Sequence, residues 1–360
     1  MKNKKMEIAV FVTLLLLFSL LNMQPRPVLT ESKTIIVPDD YATIQEAVNA
    51  AEAGDIIYVK TGVYHEHVTV EKNNLTLIGE SAEETIIDGD GEGTVLYIKA
   101  NYTTVKNFTI RKSGLRPDSA LFLDHAYNSF VWGNILQSYY AGIRIYGSSQ
   151  CEIVSNYVKN GSVGVWVEES SMIIIRGNNI TENEDGIRIY GSEKCTVFGN
   201  NLDSNGMYGV EIYQSSHSIL SGNSIINSAV GIRLYASSHN KIFHNNFINN
   251  TKQVGPIYQS FNNVWDDAYP SGGNYWSDYT GVDEKSGPYQ NETGSDGIGD
   301  TPYIIDASNQ DRYPLMTPYT PPVQNLNTGL HYPTIQDAID ASTTIGGHTI
   351  LVRAGVYLKN

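Results

Sequence analysis

The sequence predicts an all-β fold: a right-handed parallel β-helix with three short strands in each coil of about 22 residues, and an N-terminal capping helix. Three observations predict it. Gly142-Ile-Arg-Ile-Tyr recurs as Gly164-Val-Trp-Val-Glu, Gly186-Ile-Arg-Ile-Tyr, Gly209-Val-Glu-Ile-Tyr and Gly231-Ile-Arg-Leu-Tyr, at steps of 22, 22, 23 and 22 residues. Asn134, Asn156, Asn178, Asn200, Asn223 and Asn245 keep the same beat. Strand alternation then turns apolar columns inward. Ile143, Val165, Ile187, Val210 and Ile232 form one, with Ile145, Val167, Ile189, Ile212 and Leu234 two residues on. Val131, Ile153, Ile175, Val197, Leu220 and Ile242 form a second, and Leu136, Val158, Ile180, Leu202, Ile225 and Phe247 a third. Three columns in so short a period fit a β-helix; a propeller blade needs about twice the length.

The chain opens with Lys2, Lys4 and Lys5, followed by an apolar run from Ile8 to Leu21. That pattern predicts a secretory signal over residues 1–30, or an anchor if it is not cleaved, and places the protein outside the cytoplasm: extracellular, on the cell surface or periplasmic. Membrane contact would come only through that segment.

Next, Ile44, Ala47, Val48 and Ala51 fall at helical spacing, Thr43 and Glu46 form a capping box, and Gly54 stops the helix. Such a helix is placed to cover the open first coil, whose backbone and apolar side chains would otherwise meet water. Short alternating segments bounded by Gly, Asn or Asp follow, with a loop insertion at Ser113–Asp118. The β-helix is assigned to residues 31–260. Its corner asparagines and the series Ser148, Ser170, Ser192, Ser215, Ser237 are positioned to hydrogen-bond the turns above and below.

From 261 to 317 the repeat stops, and a loop-rich, acidic, aromatic segment reads as a C-terminal cap. Residues 318–331 read as a linker. Tyr332-Pro-Thr-Ile-Gln-Asp-Ala then repeats Tyr41-Ala-Thr-Ile-Gln-Glu-Ala, so 332–360 reads as the start of a second, truncated β-helix.

A formal net charge of −14 disfavours nucleic acid, whose phosphates need a basic stripe. Twenty-four tyrosines and recurrent amides instead suit hydroxyl-rich partners such as glycans or cell-surface polymers. Cys151 and Cys195 share one register position two coils apart, so their backbones should lie about 9–10 Å from each other. That exceeds disulfide reach, and both are expected to be inert interior thiols.

Three constellations could carry function. Arg144, Trp166, Arg188, Glu211 and Arg233 form an outward ladder beside Tyr146, Glu168, Tyr190, Tyr213 and Tyr235. Rings there could stack on sugars while arginines hold carboxylates. Asp283, Asp296 and Asp300 place hard oxygen ligands on a glycine-rich loop, which suits calcium. His217 and His239 share a position in adjacent coils and could begin a copper or zinc site, as could His65 and His67 on one strand. Hydrolysis of a glycosidic bond would need two facing carboxylates. The outward acids Glu168 and Glu211 are two coils apart with Arg188 between, so binding ranks above catalysis.

The Thr43-Ile-Gln-Glu-Ala and Gly62-Val-Tyr-His-Glu opening, the Asn-rich coils, Gly273-Asn-Tyr-Trp-Ser-Asp-Tyr and Asp296-Gly-Ile-Gly-Asp-Thr-Pro-Tyr together resemble NosD-type proteins, which have a pectin-lyase-like β-helix fold. The resemblance covers roughly 34–317 and restarts at 332. It implies a periplasmic or extracellular β-helix and, in the family's namesake, copper delivery to a maturing metalloenzyme. The repeats also resemble domains shared by carbohydrate-binding proteins and sugar hydrolases, so a polysaccharide lyase or hydrolase is an alternative. The opening is similar to pectin methylesterases too. Their catalytic Gln-Asp and Asp-Phe-Ile-Phe-Gly phrases are missing from the coils, and Gln310-Asp311 lies in the tail.

Overall fold

The computed structural model describes residues 32–341 and 343–353; the segment read as a signal or anchor lies outside them. Three long parallel sheets of ten, ten and nine strands run the length of a β-helix, each strand pairing with its counterpart one coil away. The first sheet starts at Thr34–Val37 and ends at Lys241–Phe243. The second holds three-residue strands such as Ile135–Gln137, and the third six-residue strands such as Ala141–Tyr146 and Asp185–Tyr190. All three apolar columns predicted from alternation are buried in one continuous core.

The corners are held by two files of side chains. Each asparagine from Asn134 to Asn245 donates through Nδ2 to Oδ1 of the asparagine one coil on, at 2.8–3.1 Å, and the file ends at Asn274. Each serine from Ser148 to Ser215 donates its backbone N–H to the hydroxyl of the next. Burial without such partners would cost about 1–3 kcal/mol per group.

Cys151 and Cys195 are buried free thiols, and burial pushes both up to about 11. They are inert filling, as the register requires.

The N-terminal helix spans Ile44–Ala50 with its capping box formed, and Ile44, Ala47 and Val48 close the first coil. At the other end Phe247, Trp276 and Tyr303 stack face to face at 4.5 and 4.3 Å, with Trp265 tilted beside them. Asp311, fully buried, fixes this lid by accepting hydrogen bonds from the N–H groups of Asn274 and Tyr313 and from the indole of Trp276. The Gly-Asn-Tyr-Trp phrase is therefore a core terminator.

The segment read as linker and second β-helix forms, over its described residues, a three-stranded antiparallel sheet of Val323–Asn325, His331–Tyr332 and Ile350–Val352 with a helix at Ile335–Asp340. Val323, Leu330, Tyr332 and Ala338 pack on Phe130, Trp132 and Val154 of the first sheet. Its strands pair with each other and stack on no coil, so its core is completed by the flank of the β-helix. Among the described residues no helix is long and apolar enough to cross a membrane.

Candidate functional site

The predicted ladder lies on the third sheet. Arg144, Trp166, Arg188, Glu211 and Arg233 are in register across five strands, as are Tyr146, Glu168, Tyr190, Tyr213 and Tyr235. Parallel strands lie near 4.8 Å apart, so flat rings at successive positions meet face to face. Tyr190, Tyr213, Tyr235 and, one coil further, Tyr258 stack with centroids 5.3, 4.7 and 5.0 Å apart. Tyr146 is cut off from this stack by Glu168 and packs edge-on against His125 at 5.3 Å.

The charged file is paired along its length. Arg144 meets Glu168 at 2.8 Å, and Glu211 is held between Arg188 at 2.8 Å and Arg233 at 2.9 Å. Arg188 also contacts Asp185, a residue that sequence reasoning missed. Asp185 is almost wholly buried at the start of its strand, accepting the N–H of Tyr208. Burial pushes its carboxyl up to about 6 against the pull of Arg188, and nearby Glu211 adds to the rise. A signal was available: the other members of its column are Ser119, Ala141, Val163, Tyr208, Val230 and, on the last strand, Lys252, so Asp185 is the single acid among them.

Trp166, Glu168, Arg188, Tyr190, Glu211 and Tyr213 line a cavity of about 470 Å³, and Arg116 reaches it from the loop at 113–118. The Trp166 ring is wedged between Arg144, 4.9 Å from its centroid, and Tyr140, edge-on at 5.6 Å. The floor is therefore a rigid, aromatic, ion-paired surface.

The acids proposed for calcium are not brought together. Asp283 accepts hydrogen bonds from Ser295 and from the N–H groups of Asp296 and Gly297. Asp296 accepts from Ile298, Gly287 and Gln290, and Asp300 from Glu284 and Lys285. These carboxylates organise loop backbone. Among the described residues, one group of three or more candidate ligand atoms lies within 4.8 Å of one another: His65, Asp88 and Asp90. His67 is turned to the carbonyl of Thr94.

Asp88 already holds two cations, Arg111 at 2.8 Å and Lys112 at 2.9 Å. Burial acts to raise its pKa, but hydrogen bonds from Lys112, the Asp90 N–H and Arg111 outweigh it and hold the group at about 2, below 3.8. A depressed carboxyl stabilises the fold above its unfolded pKa, and that contribution is lost as pH falls toward the folded value. Two pKa units correspond to about 2–3 kcal/mol. Asp88→Asn is thus expected to cost about 2 kcal/mol at pH 7 and little at pH 2. Urea unfolding at both values checks this; an equal loss at both would refute the ion-pair account.

His217 and His239 stack with centroids 5.2 Å apart and planes within 4°. Imidazole lone pairs lie in the ring plane, so parallel rings aim theirs side by side and do not converge on one ion. His239 also contacts the Asn262 amide, and His244, whose pKa burial lowers, is turned to the carbonyl of Ser271. With both thiols buried, these donors do not fit a preformed copper centre.

Comparison with known proteins places the fold and the family. The first coils, residues 36–116, match the model described as pectinesterase, whereas all the strands of the cleft lie beyond them. A probable pectinesterase/pectinesterase inhibitor 13 from Arabidopsis thaliana is 44% identical over 57 residues, 14% of this chain and 9% of its own length. A probable pectinesterase/pectinesterase inhibitor 6 from the same plant is 34% identical over 105 residues, 24% of this chain and 19% of its own length. The chain thus spans less than a fifth of these relatives. Among solved structures, the Dettilon tailspike protein is 12% identical with a TM-score of 0.47, covering 68% of this chain and 66% of its own. The periplasmic alginate epimerase AlgG is 15% identical with a TM-score of 0.34, covering 60% and 70%. Residues 80–281, which include every strand of the tyrosine–arginine cleft, match the model described as periplasmic copper-binding protein (NosD), and the chain belongs to that family.

Proposed function

We propose that this protein is an exported glycan-binding module whose binding face is the third sheet of the β-helix. The observation that carries the reading is the continuous stack Tyr190–Tyr213–Tyr235–Tyr258 running along the coil axis beside a cavity floored by Trp166. A row of ring edges and phenolic hydroxyls about 5 Å apart repeats along the coil axis, as the units of an extended, hydroxyl-rich polymer do. Export is supported by the basic-then-apolar opening of the chain and by the family's periplasmic description.

The ion pairing favours binding over hydrolysis. Glycosidic hydrolysis needs two carboxyls flanking one bond. Glu168 and Glu211 are each bound by an arginine and sit two coils apart with Arg188 between them, and Asp185 is buried beneath Arg188.

A glycan array probed with the full chain, followed by calorimetry on the best oligosaccharide, tests the reading. Tyr213→Ala is expected to weaken binding about tenfold or more, as truncation of a central aromatic anchor does. No glycan retained by the wild-type protein, or unchanged affinity in Tyr213→Ala, would overturn it.

A further inference from the structure

We propose that Arg116 makes this cleft select carboxylated sugars, its guanidinium taking the uronate carboxylate while the sugar ring meets Tyr190, the end ring of the stack. The inference rests on the glycan-binding reading and specifies the substrate class of that site.

Charge accounting along the cleft is the first support. Arg144, Arg188 and Arg233 are matched by Glu168, Asp185 and Glu211, three cations against three anions. Arg116 also lines the cavity, and among the described residues it has no carboxylate partner. It therefore places one guanidinium without an ion-pair partner at a cleft in a protein whose formal net charge is −14. An acidic protein that keeps an unpaired arginine beside an aromatic platform has the means to hold an anion locally, despite the long-range repulsion.

Placement is the second. Arg116 belongs to the insertion between the strands Thr109–Arg111 and Ser119–Asp124, so it overhangs the sheet and does not belong to its surface. The insertion is tied down: Gly114 donates to the carbonyl of Gly93 at 2.8 Å, Asp118 to that of Leu115 at 2.9 Å, and Arg144 reaches the carbonyl of Pro117 at 3.4 Å. The guanidinium lies 5.6 Å from the Tyr140 ring centroid, and Tyr140 itself packs edge-on against Trp166. Stacking on a ring holds a guanidinium plane without consuming its N–H donors, which stay available for a bidentate carboxylate. A cavity near 470 Å³ lies within the range that holds small ligands.

The test compares oligogalacturonate with the same oligomer methyl-esterified to neutrality, by calorimetry on the full chain. The wild-type protein is expected to prefer the acid form by about tenfold or more, a preference that shrinks as salt rises. Arg116→Gln is expected to bind both forms about equally, at the wild-type affinity for the neutral one, with Arg116→Lys between. Thermal unfolding of the variants should be unchanged, because the side chain is exposed on a loop. Wild-type protein that binds both forms equally, or Arg116→Gln that keeps the wild-type preference, overturns the role of Arg116 and leaves the glycan reading standing. Binding to neither form in any variant overturns the uronate assignment, and the glycan reading falls with it only if the array also retains no glycan.

Discussion

Gly186→Val is expected to lower the unfolding midpoint by at least about 6 °C, the equivalent of about 3 kcal/mol in a domain of this size. A Cβ at Gly186 would come 2.5 Å from the carbonyl oxygen of Gly209, 2.9 Å from Leu202 and 3.0 Å from Asn205. Gly142, Gly164, Gly209 and Gly231 stand in the same relation to a carbonyl one coil on, at 2.5–2.7 Å. These contacts are with backbone, which cannot swing aside as a flexible side chain could. The glycines are kept for close approach of backbones, since none of the five has a positive φ. Thermal unfolding followed by circular dichroism measures the loss. A shift within 1 °C would mean that coils slide apart without cost, and the close-approach account would fail.

A second large effect is expected from Asn200→Ala, about 3–5 kcal/mol. Asn200 donates through Nδ2 to Asn223 Oδ1 and to the carbonyls of Ile175 and Phe198, while its own Oδ1 accepts from the backbone and side chain of Asn178. Truncation strands several of these buried groups at once, at about 1–3 kcal/mol each before any water enters. Ser192→Ala, in the serine file, removes one hydroxyl that accepts from the Ser170 N–H and donates to the Tyr190 carbonyl, so its loss should be near half as large. Denaturant unfolding of the two variants side by side checks the ranking. Equal losses would show that the asparagine file acts as separate bonds and not as a connected column.

The periodic part of the molecule was readable from the sequence because one residue type recurs wherever one environment recurs. Ile153, Ile175 and Val197 announce an interior by alternation, and two cysteines 44 residues apart announce their own separation. What could not be read depends on relations outside the period. Asp296-Gly-Ile-Gly-Asp300 has the residue types of a cation loop. The same carboxylates also satisfy backbone N–H groups of a tight turn, and only three-dimensional direction separates the two uses. The repeated phrase at Tyr332 fixes local preference, so its Thr334-capped helix forms again. It does not fix the neighbour: Leu330 and Tyr332 pack beside Gly177 and Arg176, more than 150 residues away. Arg116 was invisible for the same reason, since a loop residue shows its reach only when the sheet beneath it is in place.

The asparagine file has a direction as well as a length. From Asn134 to Asn245 each Nδ2 donates one hydrogen to the next Oδ1 toward the C-terminal end, and every Oδ1 in the file faces the other way, while further Nδ2 donations go back to a carbonyl of the coil before. Side-chain amides aligned in this manner add their dipoles as peptide groups do in a helix, with the positive end at the C-terminal lid. Asp311 sits at that end, receiving the N–H of Asn274. Burial pushes its carboxyl up to about 7 even against three N–H donors; by their direction, aligned amides favour the anion. Breaking a column of seven side-chain amides is therefore expected to raise the pKa of the one buried acid under the aromatic lid.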